Sequence, residues 1–364
     1  MTYEFLQHYW CFIVALLGAL LVFQLFVQGV NAVAHSIGYS EESRRLIYDS
    51  IGSRWVFTFT TLVIFCGVFF VSFPLFYSIS FGGAYWLWII FLFTFVFQVA
   101  GYLLQNKMKH PSVCWFFLIL NGYIGPMLLG SIIATFFEGA NFIVEKNATD
   151  AVPASIHWAN ASHGLDVLIN PWVLVFSVAI FFLARILGLL YLMNNVTDEE
   201  IRSNGYGRLI AAAIHFVGLF TIYFGHLLLK DGYTYNAGYI STEANKYLTN
   251  FTDMWYLSAI LLIGLILILY ATLKGIITKK YTGCFWPASI GTVFTISALI
   301  LCAMWNHTAY YPSTEDPHSS LTIINSCNNE VALQTMFYIS LFAPFVLAYI
   351  IYRWRAIENK KADK

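Results

Sequence analysis

Long apolar runs alternate with short polar segments along the whole 364-residue chain. A run of about 20 apolar residues is long enough, at about 1.5 Å per helical residue, to cross the hydrocarbon core of a bilayer. Nine such runs occur, at about 9–34, 56–78, 83–104, 113–137, 170–193, 209–229, 255–273, 285–305 and 332–352. Each is expected to be helical, because lipid cannot satisfy an open backbone. The pattern therefore predicts an all-α polytopic membrane protein with nine transmembrane helices. It forms one integral membrane domain over residues 1–364, with a basic tail at 353–364. Connections are short except at about 138–169 and 230–254. A third, about 306–331, is moderate in length and polar. With nine spans, these three loops share one side.

Charge supports that count and orients it. If the C-terminus is cytoplasmic, the inner segments carry Arg44, Arg45, Arg54, Lys107, Lys109, Arg202, Arg208, Lys274, Lys279, Lys280, Arg353, Arg355, Lys360, Lys361 and Lys364. The outer segments carry only Lys146, Lys230 and Lys246, and Arg185 lies inside a span. This asymmetry is a positive-inside pattern. It predicts an outer N-terminus, a cytoplasmic C-terminus and all three longer loops outside. An eight-span count would scramble it. The opening MTYEFLQHYW has no basic residue ahead of its apolar run, so the first span is expected to stay rather than be cleaved as a signal peptide.

Composition agrees. The chain is 59% hydrophobic and 10% charged, with mean hydropathy +0.69, whereas soluble domains carry about 25% charged residues. Formal net charge is zero, so nothing points to nucleic acid or an acidic partner. The six cysteines (11, 66, 114, 284, 302 and 327) show no CxxC, so inert thiols are expected and no metal site. P-loop, HExxH and dinucleotide signatures are absent. The Asn-x-Ser/Thr matches at Asn147, Asn160, Asn195, Asn250 and Asn306 are too short a pattern to carry weight.

No Asp or Glu falls at the middle of a span. Ion-coupled transporters and proton pumps usually keep one there as the switching group. The polar residues that do lie in or beside spans are mostly neutral: Gln28, Asn31, Ser50, Trp55, Thr58 and Gln98, with Arg185 and His215. The plain reading of the amides is hydrogen bonding between helices. The sharper reading is a hydrated polar track or a quinone head-group pocket. Arg185 needs an acceptor, for which a backbone carbonyl, Gln98, Asp49 or a group on another subunit are candidates, unless it snorkels to the surface. His215 and His226 share a helix face about 16 Å apart. Haem ligation would need matching histidines on a facing helix, and no other His is well inside a span. No catalytic residue is expected in this chain.

The stretch QGVNAVAHSIGYSEESRRLIYDSIGSRWVFTFTTLVIFCGVFFVSFPLFYSISFGG resembles the N-terminal region of subunit II of cytochrome bd-type quinol oxidases. That family places Asp-Gly-Phe-Asp at the end of the first span, then an acidic-Arg-Arg cluster, a Ser-Ile pair, Trp-Asp-Gly-Asn, and a span closing on Pro before Tyr and a Gly-rich turn. Here stand Gln28-Gly29-Val30-Asn31, Glu42-Ser43-Arg44-Arg45, Ser50-Ile51, Trp55, Pro74, Tyr77 and Phe81-Gly82-Gly83. The segment SSLTIINSCNNEVALQTMFYISLFAPFVLAYIIYRW looks like the family's last loop and span. Gly101-Tyr102 with Lys107, and Gly188 with Tyr191-Leu192, add weaker matches. The departures are concerted. Gln28 and Asn31 replace two acids, Val56 replaces the acid after the Trp, Thr58 replaces an Asn, and Gln98 replaces an Arg.

The resemblance implies two four-helix bundles plus one further helix, in a bacterial cytoplasmic (inner) membrane. It implies a partner, subunit I, that carries two b-type haems and one d-type haem, oxidises quinol and reduces oxygen to water. Subunit II then supports and shields those centres and ligates no cofactor itself. The resemblance leaves room for a structural quinone and a small single-span subunit. Two other classes remain open: a secondary transporter, whose mark would be broken helices at matching positions of two halves (Pro126 and Pro344 do not match), and a self-contained membrane haem protein.

Overall fold

The computed structural model describes residues 2–108, 111–145, 155–236, 238–278, 283–342, 345, 348, 349, 351–353 and 355. In chain order its helices are α1 (Tyr3–Gln24), α2 (Phe26–Ile37), α3 (Glu41–Ile51), α4 (Trp55–Ser72), α5 (Pro74–Phe76), α6 (Tyr85–Leu104), α7 (Ser112–Glu138), α8 (Pro171–Asn195), α9 (Glu199–Leu229), α10 (Lys246–Asp253), α11 (Trp255–Thr278), α12 (Phe285–Met304), α13 (Ile323–Ser326) and α14 (Glu330–Ser340). A π-helical turn, Tyr77–Gly83, follows α5. Eight helices among the described residues are long and apolar enough to cross a membrane, counting α1 and α2 as one 35-residue element. The ninth expected span begins as α14, but Pro344 and several of its neighbours lie outside the described residues. So do Lys109, Lys146, Asn147, Lys279, Lys280 and nearly all of the tail.

Helix ends follow local chemistry. The Asn170 side chain accepts from Trp172 N, with Pro171 at the first helical position of α8, and Asp198 caps α9 through Ile201 N. These groups satisfy amides that the helix itself leaves open. The second span ends at Ser72 rather than the expected 78. Pro74 cannot donate to the helix ladder, and the chain turns through α5 and the π-helical segment instead. Pro126 sits inside α7 without ending it.

Packing is closest where side chains are smallest. A Cβ on Gly29 would fall 1.8 Å from the Ala184 carbonyl oxygen, and one on Gly122 would fall 2.4 Å from Ala32 N. These glycines let α2 lie in backbone contact with both α8 and α7, the packing mode that drives helix association in lipid. The other helices enclose α8 and α12, whereas α4, α9 and α11 keep most of their surface outward.

The three longer loops form three antiparallel hairpins: β1 (Phe142–Glu145) with β2 (Ser155–Trp158), β3 (Gly232–Asn236) with β4 (Tyr239–Glu243), and β5 (Ala309–Tyr311) with β6 (Leu321–Thr322). Bridges Ala140–Ser313 and Thr234–Thr308 tie the first and second loops to the third. The loops therefore cover one end of the helices together. The amphipathic α3 lies at the other end.

Candidate functional site

Gln28 and Asn31 sit three apart on α2, so they share a face. Thr94, Gln98 and Tyr102 repeat every four residues on α6 and form a second polar stripe. Asn121 of α7 completes the group. Gln28 Nε2 donates to Gln98 Oε1 at 2.5 Å, and Tyr102 Oη donates to Asn31 Oδ1 at 2.6 Å. Asn31 Nδ2 reaches Asn121 Oδ1 at 3.3 Å, and Asn121 Nδ2 donates to the Thr94 carbonyl at 3.0 Å. Gln28, Asn31, Gln98 and Asn121 are all fully buried. The network is not closed, because Gln28 Oε1, Gln98 Nε2 and the nearby Gln24 Oε1 have no hydrogen-bond partner. Such a site can order water, but an amide neither gains nor loses a proton near neutral pH.

The remaining predicted residues stand around or away from this network. Trp55 is half-buried and stacks on Tyr102 with ring planes 4° apart. Thr58 Oγ1 donates to the Gln24 carbonyl at 3.4 Å. The Ser50 hydroxyl donates to the Ile47 carbonyl, while its own carbonyl accepts from Tyr191 Oη at 2.8 Å and from Arg54 at 3.4 Å. Arg185 and His215 lie elsewhere, on the outward side of α8 and α9. The Arg185 guanidinium rests 5.5 and 5.9 Å from the Phe181 and Phe182 ring centres. His215 is exposed, donates from Nδ1 to the Ala211 carbonyl at 2.7 Å, and stacks on Phe182.

One expectation needs correction. Gln98 is not the partner of Arg185: it is buried in the network of α2, α6 and α7, bonded to Gln28, whereas Arg185 lies over Phe181 and Phe182. Among the described residues no hydrogen bond or carboxylate partner reaches Arg185. Arg54 stands in the turn between α3 and α4, the segment expected to be an inner loop, and is 1% exposed there, lying over the Tyr191 ring at 5.3 Å. Val56, which stands where the family has an acid, is 40% exposed on the outward face of α4.

Sequence reasoning missed a second cluster at the loop-covered end. The Glu138 side chain, 2% exposed at the last turn of α7, accepts from Lys230 Nζ at 2.5 Å and from His226 Nε2 at 3.2 Å. His226 lies flat on Trp172, with centroids 3.7 Å apart and planes 2° apart. A cavity of about 150 Å³ adjoins the triad, lined by Glu138, Lys230, Asp231, Tyr233, Tyr247 and Thr314 among others. The only sequence signal was an acid directly after a 26-residue apolar helix. Its cationic partners are some 90 residues away. Sequence also missed Asn250, fully buried and donating to the Cys302 carbonyl and Thr308 Oγ1.

Among the described residues, the two histidines of α9 do not meet a common partner. His226 Nε2 is engaged by Glu138, and His215 points outward. Among the described residues no three His, Cys, Asp or Glu side chains converge as a metal site.

Comparison with known proteins gives a consistent picture. The family described as cytochrome bd terminal oxidase subunit II matches residues 6–357. The chain is 24% identical to the probable cytochrome oxidase subunit 2 of Haemophilus influenzae, over 97% of this chain and 94% of that one. It is 23% identical to the cytochrome bd-I ubiquinol oxidase subunit 2 of Escherichia coli K12, over 95% and 93%. The bd oxidase of Geobacillus thermodenitrificans shares the fold, with a TM-score of 0.63 and 16% identity over 96% of this chain and 98% of that chain.

Proposed function

The chain belongs to the cytochrome bd terminal oxidase subunit II family, and from that premise we propose that it is a proton-inert scaffold for the catalytic subunit. The complex is an oxidoreductase that passes electrons from quinol to oxygen, and this chain is one subunit of it, beside a subunit I. In our reading, subunit I ligates the two b haems and the d haem and binds the reacting quinol. The present chain flanks those centres in a bacterial inner membrane, with its N-terminus outside and its C-terminus in the cytoplasm. A structural quinone and a small single-span subunit are compatible with this arrangement.

The observation that carries the reading is the neutrality of the network joining α2, α6 and α7. Its members are Gln28, Asn31, Gln98, Asn121, Thr94 and Tyr102, and none is a carboxylate. In our reading Gln28 and Gln98 hold bridging water between α2 and α6. Water held by amides can pass a proton along, but no group here stores one at pH 7. Protons consumed in oxygen reduction therefore travel through subunit I.

The test has two parts. Purified complex should show b and d haem absorption, and the chain isolated from subunit I should show no Soret band. Stoichiometric haem on the isolated chain would overturn the scaffold reading. In the complex, Gln28→Leu combined with Gln98→Leu should leave quinol:oxygen turnover within about twofold, since a hydrogen-bonded pair replaced as a pair is near neutral. A large loss of turnover in a complex that keeps its haems would place the proton route in this chain.

A further inference from the structure

Arg185 lies fourteen residues, about 21 Å, along α8 from Pro171, and about 15 Å from Asn195. That depth is within hydrocarbon. A guanidinium there needs an acceptor, and among the described residues the chain supplies none. Its Nε is buried without a partner. The side chain does not snorkel to the near surface. It leans back over Phe181 and Phe182, toward the helix N-terminus.

The surroundings of Arg185 have the form of a helix seat. Beyond its first turn, α8 turns Leu174, Val178, Phe182 and Arg185 outward, with Val175 beside Leu174, while Ile186 to Met193 are all buried. Steps of four, four and three residues make a single seam of the kind a second helix packs against. Tyr123 of α7, its ring tilted against Phe181 at 5.1 Å, flanks the seam on one side. His215 of α9, stacked on Phe182 at 4.6 Å, flanks it on the other. Arg208, exposed on α9 and within electrostatic reach of Arg185, adds a second positive charge.

We propose that this seam seats a transmembrane helix of another polypeptide, which presents a carboxylate to Arg185. Charge complementarity selects the occupant. A second copy of this chain cannot supply the acid, because none of its 19 acidic residues lies at mid-span. A lipid phosphate belongs at the bilayer surface, well away from a guanidinium turned toward Phe181 and Phe182. The inference rests on the chain being one subunit of a larger membrane complex. Haem content of the purified complex reads that premise separately.

The experiment places a photo-cross-linking amino acid at Leu174 or Ile214 in the intact complex, in its native membrane, and identifies the adduct by mass spectrometry. The expected adduct is a polypeptide with an Asp or Glu inside a spanning helix. Arg185→Glu should cut its yield at least about tenfold, the weight of one interhelical polar contact in lipid. Arg185→Lys should retain most of it. Exchanging the captured acid for Lys should restore the yield in the Arg185→Glu background. Arg185→Met, which buries no new charge, guards against misfolding and should also lose the adduct while the complex keeps its haems. Adducts confined to lipid, adducts with a second copy of this chain, or a yield indifferent to residue 185 would each overturn the proposal.

Discussion

The two buried polar clusters solve the same problem in opposite ways. At the interface of α2, α6 and α7, four amides and a tyrosine hydroxyl hold one another, and no formal charge is present. At the loop-covered end, α7 and α9 are joined by a carboxylate set between a lysine and a histidine. The amide cluster is fully buried. The ionic cluster borders a cavity, and Lys230 remains 24% exposed. Between these two clusters, charge is retained in the one that water can partly reach and absent from the one it cannot. The cost of desolvating an ion explains the division, since a buried charge must be fully paired while an amide need only find a neighbour.

That contrast sets the size of mutational effects. Glu138→Ala should be the most damaging change. It leaves Lys230 and His226 facing each other across a site that has lost its anion. The expected cost is about 3 kcal/mol, read as a lowered thermal midpoint of the purified complex. Removing Lys230 together with Glu138 should recover part of this loss, which a double-mutant cycle would measure. If Glu138→Ala is silent, the triad carries no stability and the comparison fails.

In the amide cluster, Gln28→Leu alone should cost about 1–3 kcal/mol, because it strands Gln98. The paired replacement with Gln98→Leu should cost less than the single change. A double variant worse than either single would show that the cluster depends on the amides individually rather than on each other.

Val56→Asp tests the boundary between the two regimes. Position 56 points outward from α4 and is 40% exposed. It lies in the first turn of α4, at the end of the span, where a helix N-terminus favours an anion, so the fold of this chain should tolerate the acid with a change of about 1 kcal/mol or less. Turnover of the complex should not rise. A faster enzyme would indicate that a proton path can be rebuilt along this face.

The smallest effect belongs to Asp316, in the loop cap. The Ser319 hydroxyl, donating at 2.6 Å, holds its carboxyl below the usual range, helped by the backbone amide of His318. A carboxyl whose folded pKa is depressed contributes stability above its unfolded value and loses it as pH falls through the folded one. The group is partly solvent-accessible, so screening should keep the contribution below about 0.5 kcal/mol. Asp316→Asn should flatten the acid side of the stability profile by no more than that amount.

Much of this was legible along the chain. Apolar runs of about 20 residues located the spans, because the bilayer imposes that length on any helix that crosses it. Gln28, Asn31 and Gln98 stood out as amides in apolar stretches, and the structure brings all three together. Arg185 stood out for the same reason, but its surroundings were not readable. Whether position 185 faced Gln98, Asp49 or the outside depended on how α8 rotates against α2, which Gly29 and Gly188 decide through backbone contact. Glu138 was invisible as a site for a similar reason. At the end of an apolar helix an acid reads as a solvated cap, and only the folding of α9 and the loops back over it makes it buried.

The sequence by itself determined that this chain lives in a membrane, that its span centres carry no acid, and that it resembles the second subunit of a bd-type oxidase. Those properties follow from length and polarity along one dimension, which lipid reads directly. The tertiary structure alone decided which polar groups meet, which face outward and which are left without a partner. Helix rotation and close backbone approach set those relations, and neither is written in the periodicity of any single span.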